Sequence, residues 1–229
     1  MPLIETISSD NIDVIGDVHG EIDALNQLLE LLGYDLNSDA HPKGRRLVFV
    51  GDLVDRGPNS IAVVRKVRDL IHAGVAQAII GNHELNLLRP NEKDPQDPLP
   101  QRRHGNHWFR GEAEDLVDPK EAKNIAATLQ KKATSSEIRS EILDFLSTLP
   151  VMLTDKDSTL KIVHSFWSED LEQTLLKYDE KHPSSSIVEA FVHFDELLSS
   201  YLSSPQASKG DFSSNIFCKQ DLLSSVDEL

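Results

Sequence analysis

Four short polar clusters interrupt the apolar runs of this chain, and each carries side chains able to hold a divalent cation or move a proton. In Gly16-Asp17-Val18-His19-Gly20 a carboxylate and an imidazole two residues apart in a tight loop can grip one ion. The same Asp can instead do no more than cap the following helix. The flanking glycines favour the first reading, because glycine lets backbone approach a site closely. In Gly51-Asp52-Leu53-Val54-Asp55-Arg56-Gly57-Pro58, Asp52, Asp55 and Arg56 form either a surface salt-bridge network or part of a functional site. Gly81-Asn82-His83-Glu84 opens a helix with an Asn-His pair, a composition that also serves as a simple cap. The bland explanation would have to hold three times over. His164 ends a later apolar run, where a lone imidazole is more often packed than liganding, and its weight comes from the other three clusters.

The elements that would position these clusters are legible around them. Asn11 to Ile15 reads as a strand, followed by a turn and a helix that Gly33 ends. Arg46 to Val50 is a second strand, with Ser60 to His72 a helix behind it, and Gln77 to Ile80 a third strand leading into the helix begun by Asn82. Three strand-loop-helix units imply a mostly parallel sheet, because parallel neighbours need crossover connections. The predicted class is α/β, with parallel or mixed sheets flanked by helices in a single domain. Functional residues collect at the carboxyl ends of such strands, where the first three clusters sit.

Residues 1–168 read as the core. Within it, 89–115 is a Pro-, Asn- and Arg-rich insertion or cap, and 119–149 a helical segment. Val151–Asp155 and Thr159–Ser165 read as two further strands joined by a turn. Residues 169–229 form a helical acidic segment, the remainder of the same domain.

Composition narrows the partners. With 39% hydrophobic and 27% charged residues, the 229-residue chain is an ordinary globular protein. A formal charge of −15 disfavours adhesion to nucleic acid or an anionic membrane. The single Cys218 allows no internal disulfide, and no run approaches the length of a membrane span, so cytoplasmic residence is expected.

In this order, GD-x-HG, GD-x-VDRG and GNHE, then a strand-terminal His, resemble the metallophosphoesterases, particularly the phosphoprotein phosphatase branch, over roughly residues 12 to 165. The plan is similar to small bacterial and phage Ser/Thr phosphatases, and symmetrical dinucleoside tetraphosphatases share the signatures. The resemblance implies one divalent ion on Asp17, His19 and Asp52. It implies a second on Asp52, Asn82, His164 and a later His that follows a Gly, with Asp52 bridging. By the same resemblance His83 protonates the leaving oxygen, Asp55 fixes its tautomer and Arg56 clamps phosphate. The chemistry is coherent: two ions roughly 3.5 to 4 Å apart neutralise phosphate charge and acidify a shared water. Oxygen and imidazole ligands without thiolate suit Mn²⁺, the expected metal, or Fe or Zn. The expected substrate is a phosphorylated protein or a small phosphoester, attacked directly by water. A dinucleoside polyphosphate hydrolase stays open on the same motifs.

The pattern also departs from that family. No arginine and no Gly-His segment of the expected kind follows His164, and the Ser165-Phe166-Trp167 that does follow is expected to crowd the second metal. The ending DLLSSVDEL, without a closing strand, predicts a fragment of a longer protein or a disrupted gene product, with an undercoordinated second site. A noncatalytic scaffold is therefore the rival expectation. In the insertion, His107 and Trp108, after Arg102 and Arg103, either line the substrate entrance or belong to a capping loop tied to the core by Trp108. His41, His72 and His182 read as structural or solvated, and His193 as a poor candidate for the missing ligand.

Overall fold

The computed structural model describes residues 2–35, 40–91, 93–101, 103, 105–110 and 134–202, with side chains to 196. Its strands are β1 (Ile4–Thr6), β2 (Ile12–Ile15), β3 (Arg46–Phe49), β4 (Ala76–Ala78), β5 (Met152–Thr154) and β6 (Lys161–Val163). They form two three-stranded sheets. In one, β2, β3 and β4 run parallel, with Val14 opposite Val48 and Val48 opposite Gln77. The helices α1 (Ile22–Leu32) and α2 (Ser60–His72) supply the crossovers that parallel neighbours require. In the other, β1 pairs parallel with β5, and β5 pairs antiparallel with β6. The class is mixed α/β, as the motif order predicted.

Alternation along β3 explains the layering. Leu47 and Phe49 point into the larger core with Leu25 and Leu29 of α1 and Val63 and Val67 of α2. Val48 points the other way, into a smaller cluster with Ile7, Ile79, Leu153 and Ile162 that draws on both sheets. A strand apolar on both faces is what a central parallel position demands. A polar clip crosses the same layer: the Gln77 amide donates to the Thr6 carbonyl at 3.0 Å and accepts from the Ser8 N–H at 2.7 Å.

Gly33 ends α1 with φ 93°, a left-handed conformation that costs glycine little, and its N–H reaches Glu30. Asn59 caps α2 by accepting from the Ala62 N–H at 3.0 Å. Between α3 (Asn82–Leu88) and α4 (His107–Arg110) the described residues are irregular. Of the predicted helical stretch 119–149, the described part contains α5 (Ser136–Leu146), and 111–133 lie outside the described residues. Glu141 on α5 takes both Arg65 at 2.7 Å and Arg68 at 2.5 Å from α2, which pushes its carboxyl down to about 2. The acidic segment begins with α6 (Glu169–Lys181) and α7 (Ile187–Leu202). Leu175, Tyr178, Ile187 and Ala190 from these helices join the larger core, and 203–229, including Cys218, lie outside the described residues. Among the described residues no helix is long and apolar enough to cross a membrane.

Candidate metal centre

The loops after β2, β3, β4 and β6 meet at Asp52, which is 4% exposed. Its Oδ2 lies 3.7 Å from His19 Nε2 and 3.9 Å from His83 Nε2. Its Oδ1 lies 3.4 Å from His164 Nε2 and accepts the His83 backbone N–H at 3.0 Å. Asp17 Oδ2 is 3.7 Å from His19 Nε2, and Asn82 Oδ1 is 3.0 Å from His164 Nε2. Asp17, His19, Asp52, Asn82, His83 and His164 thus form one cluster, with Asp52 between an Asp17–His19 side and an Asn82–His164 side.

Close backbone packing makes this possible. The Val18 and His19 N–H groups both donate to the Asp52 carbonyl, at 3.0 and 2.9 Å. A Cβ on Gly81 would lie 2.4 Å from Asp52 N, and one on Gly57 would lie 2.1 Å from the His19 carbonyl oxygen. Only glycine fits either place. Four residues of the cluster and its rim have left-handed backbone: His19 (φ 46°), Asp52 (50°), Asp55 (70°) and Arg56 (64°).

Glu84 locks these loops together. Fully buried, its carboxylate accepts N–H groups from Gly81 at 2.9 Å, Asp52 and Leu53 at 2.8 Å, and Val54 at 3.2 Å. Burial, and then the charge of Asp52, push its carboxyl up to about 6 against the pull of those N–H groups. Glu84 has no role assigned to it by the sequence motifs alone. Its signal was present, a Glu three residues into a helix that follows a glycine, but three of its four partners come from a loop some thirty residues away.

The donors fit divalent cations. His19 Nδ1 faces the Val54 carbonyl at 3.0 Å and His164 Nδ1 faces the Val50 carbonyl at 2.8 Å. A carbonyl only accepts, so each Nδ1 carries the proton and each Nε2 turns a lone pair to the cluster. His19 Nε2 is buried with no hydrogen-bond partner, an arrangement that is costly unless something positive fills the space. His164 Nε2 and Asn82 Oδ1 are likewise two acceptors face to face, which a cation reconciles unless the amide presents its nitrogen instead.

A second arrangement adjoins the first. His83 Nδ1 is 2.7 Å from Asp55 Oδ2, and Asp55 is 2% exposed. That hydrogen bond raises the His83 pKa above its usual value, against the opposing effect of burial. By distance alone His83 groups with His19 and Asp52, whose ligand atoms lie within 4.8 Å of one another. Its Nε2, however, is 3.3 Å from Arg56 Nη2, and a metal cation beside a guanidinium is electrostatically poor. Arg56 itself is exposed.

The remaining expected residues fall elsewhere. Arg103 is exposed and contacts the cluster through no hydrogen bond or ion pair among the described residues, Arg102 lies outside them, and His107 is half-buried at the start of α4. Among the described residues of the insertion, Trp108 meets the site through its indole N–H, which donates to Asp55 Oδ1 at 2.7 Å. His193 packs beside Tyr178, His182 and Phe194, not at the cluster. Phe166 and Trp167 share a surface with Asn82 and His164. They line, with those two residues, an apolar cavity of about 340 Å³ walled by Leu171, Leu175, Phe191 and Phe194. Trp167 is drawn to its wall by its N–H, which donates to Glu172 at 3.1 Å.

Comparison with known proteins gives a consistent result. Relatives from several bacteria carry the name asymmetrical bis(5'-nucleosyl)-tetraphosphatase PrpE. That of Halalkalibacterium halodurans is 47% identical over 79 residues, 34% of this chain and 32% of the relative. That of Bacillus subtilis is 36% identical over 121 residues, 52% of this chain and 48% of the relative. That of Anoxybacillus flavithermus is 29% identical over 189 residues, covering 77% and 70%. The match thus spans about a third to a half of the first two relatives. These names read asymmetrical, where the resemblance had named symmetrical enzymes, beside protein phosphatases, as sharing the motifs. The family model for calcineurin-like phosphoesterases matches residues 11–193, well beyond the motif-bearing stretch, and the chain belongs to that family.

Proposed function

We propose that this protein hydrolyses phosphoesters at a two-cation centre and that its substrates are dinucleoside polyphosphates. One observation carries the reading: a single buried carboxylate, Asp52, stands between two imidazole lone pairs, with a His–Asp pair at hydrogen-bonding distance beside it. Asp17, His19 and Asp52 would hold one cation, and Asp52, Asn82 and His164 the other. Mn²⁺ is the first candidate, with Fe or Zn behind it, and such ions supply charge neutralisation and acidified water.

The chain's own residues do the rest. Arg56 offers a planar fork to the phosphoryl oxygens, which a point charge would orient less well. Protonated His83 gives its Nε2 proton to the oxygen that leaves as the P–O bond breaks. Asp55 holds the opposite nitrogen, stabilises the imidazolium and fixes the ring. The proton lost by the attacking water balances the one delivered, so no covalent intermediate is needed.

Two observations support the nucleotide reading over a phosphoprotein substrate. The relatives' names specify nucleosyl tetraphosphates. The aromatic-walled cavity also borders Asn82 and His164, within reach of a planar base attached to the reacting phosphate. A reducing compartment such as the cytoplasm suits a chain with one cysteine.

The test is direct. Diadenosine tetraphosphate and a phosphoserine peptide are incubated side by side with Mn²⁺ and either wild type or His83→Asn, and products are separated by anion exchange. Cleavage to adenosine mono- and triphosphate, strongly reduced in the variant, is expected. Phosphate release from the peptide alone would replace the nucleotide reading, and equal rates in the two proteins would remove His83 from the chemistry.

A further inference from the structure

We propose that Trp108 is a positioning residue for the proton donor: its indole N–H fixes the second oxygen of Asp55 and so sets the orientation of His83. The inference rests on the hydrolase reading above.

Asp55 has two oxygens and two side-chain partners. Oδ2 faces His83 Nδ1 at 2.7 Å, and Oδ1 accepts the Trp108 N–H at 2.7 Å. A carboxylate held at one oxygen can still turn about its terminal torsion, which is broad and roughly two-fold. Held at both, its plane is fixed, and with it the direction in which the imidazole can point. The backbone of Asp55 is constrained as well, because its N–H donates to Ser60 Oγ at 2.9 Å.

Trp108 is anchored well enough to impose this. Thr134 Oγ1 donates to the Trp108 carbonyl at 2.7 Å. Arg139 of α5 donates to the carbonyls of Phe109 at 3.2 Å and Thr134 at 2.9 Å. Phe109, 1% exposed, meets the indole edge-on with centroids 5.4 Å apart. Gly105 (φ 97°) brings the preceding turn so close that a Cβ there would stand 3.0 Å from Asp55 Cβ. The turn around α4 is therefore clamped to α5 on one side and to Asp55 on the other. A purely packing role would need only the ring. Directing its one donor at a buried carboxylate that holds an imidazole is a further specification, because losing that donor leaves Oδ1 unpartnered.

Trp108→Phe keeps the ring and removes the N–H. General-acid help matters most for poor leaving groups, so kcat is compared on phenyl phosphate and p-nitrophenyl phosphate. The expected result is a loss of about ten-fold in kcat on phenyl phosphate, a loss under about three-fold on p-nitrophenyl phosphate, and little change in either KM. Asp55→Asn should show the same selectivity, and the double variant should add little to it, since both act through His83. An equal loss on both substrates, a change confined to KM, or no change overturns the proposal. Wild-type protein that turns over neither substrate overturns the hydrolase reading itself, and this inference with it.

A second measurement needs neither activity nor the folding of the Phe variant. In metal-free ¹⁵N-labelled protein, the Trp108 indole N–H signal, distinguished from that of Trp167 by Trp167→Phe, should lie downfield, exchange slowly and move on Asp55→Asn. A freely exchanging signal indifferent to Asp55→Asn overturns the contact.

Discussion

Glu84→Gln removes one charge from the interior and rearranges four hydrogen bonds. Glu84 Oε2 accepts from Gly81 and Asp52, and Oε1 from Leu53 and Val54. A glutamine keeps one of these oxygens and sets an NH₂ donor against two backbone N–H donors. Each buried N–H left without an acceptor costs about 1 to 3 kcal/mol, so the two together cost about 2 to 6. The charge itself is unfavourable where it stands: a rise in pKa from 4.5 to about 6 is equivalent to about 2 kcal/mol, which the amide recovers. The net expectation near pH 8 is a loss of about 2 kcal/mol, or about 1 M in the urea midpoint. The pH dependence has a definite sign. A carboxyl whose folded pKa is raised makes the folded state take up a proton first, so wild type gains stability as pH falls from about 6 to 4.5 and loses that gain as pH rises through about 6. Glutamine cannot titrate, so the gap between variant and wild type should widen by about 2 kcal/mol between pH 8 and pH 4.5. Urea denaturation of both metal-free proteins at the two pH values measures this. Coincident midpoints at both would refute the claim that this carboxylate holds the loops of the site.

Asp52→Asn should abolish Mn²⁺ binding on both sides of the centre, seen by titration calorimetry as loss of the whole isotherm, because Asp52 faces both imidazoles. Chelation should likewise abolish wild-type turnover, and added Mn²⁺ should restore it. Arg56→Ala should lower kcat/KM by about 100-fold, and Arg56→Lys should recover little, since an ammonium does not reproduce the fork. Glu141→Gln should lower the melting temperature at pH 7 by severing the contact of α2 with α5. With a folded pKa of about 2, the Glu141 contribution is full above about 4.5 and disappears as pH falls through about 2, so the two melting curves should converge in that range.

The sequence made β2, β3 and β4 legible because each is a short apolar run ending in a glycine-containing turn, with a helix-period segment behind it. It also placed Asp17, His19, Asp52, Asn82 and His83 at their ends, which is where parallel strands deliver loops. His164 owed its prominence to the other three clusters rather than to any local pattern. β1 was missed: three residues long, it exists as a strand only through pairing with β5, far along the chain. The link from Trp108 to Asp55 was hidden for a related reason. A tryptophan in a polar loop advertises burial of a ring, but where its one donor points depends on how that loop docks. The cavity that Phe166 and Trp167 line with Asn82 and His164 was hidden similarly, since adjacency in sequence to His164 did not fix where the rings turn. The packing of α6 and α7 supplies one wall of that cavity.

Four of the five non-glycine residues with positive φ among the described residues are His19, Asp52, Asp55 and Arg56. Aspartate tolerates that conformation better than histidine or arginine, yet each such residue still costs about 1 kcal/mol or more. Natural selection for turnover would retain these costs, whereas laboratory selection for heat resistance alone should discard them. Libraries sorted only by survival at high temperature should therefore accumulate glycine or asparagine at these four positions, and the survivors should be sturdier proteins with an idle centre.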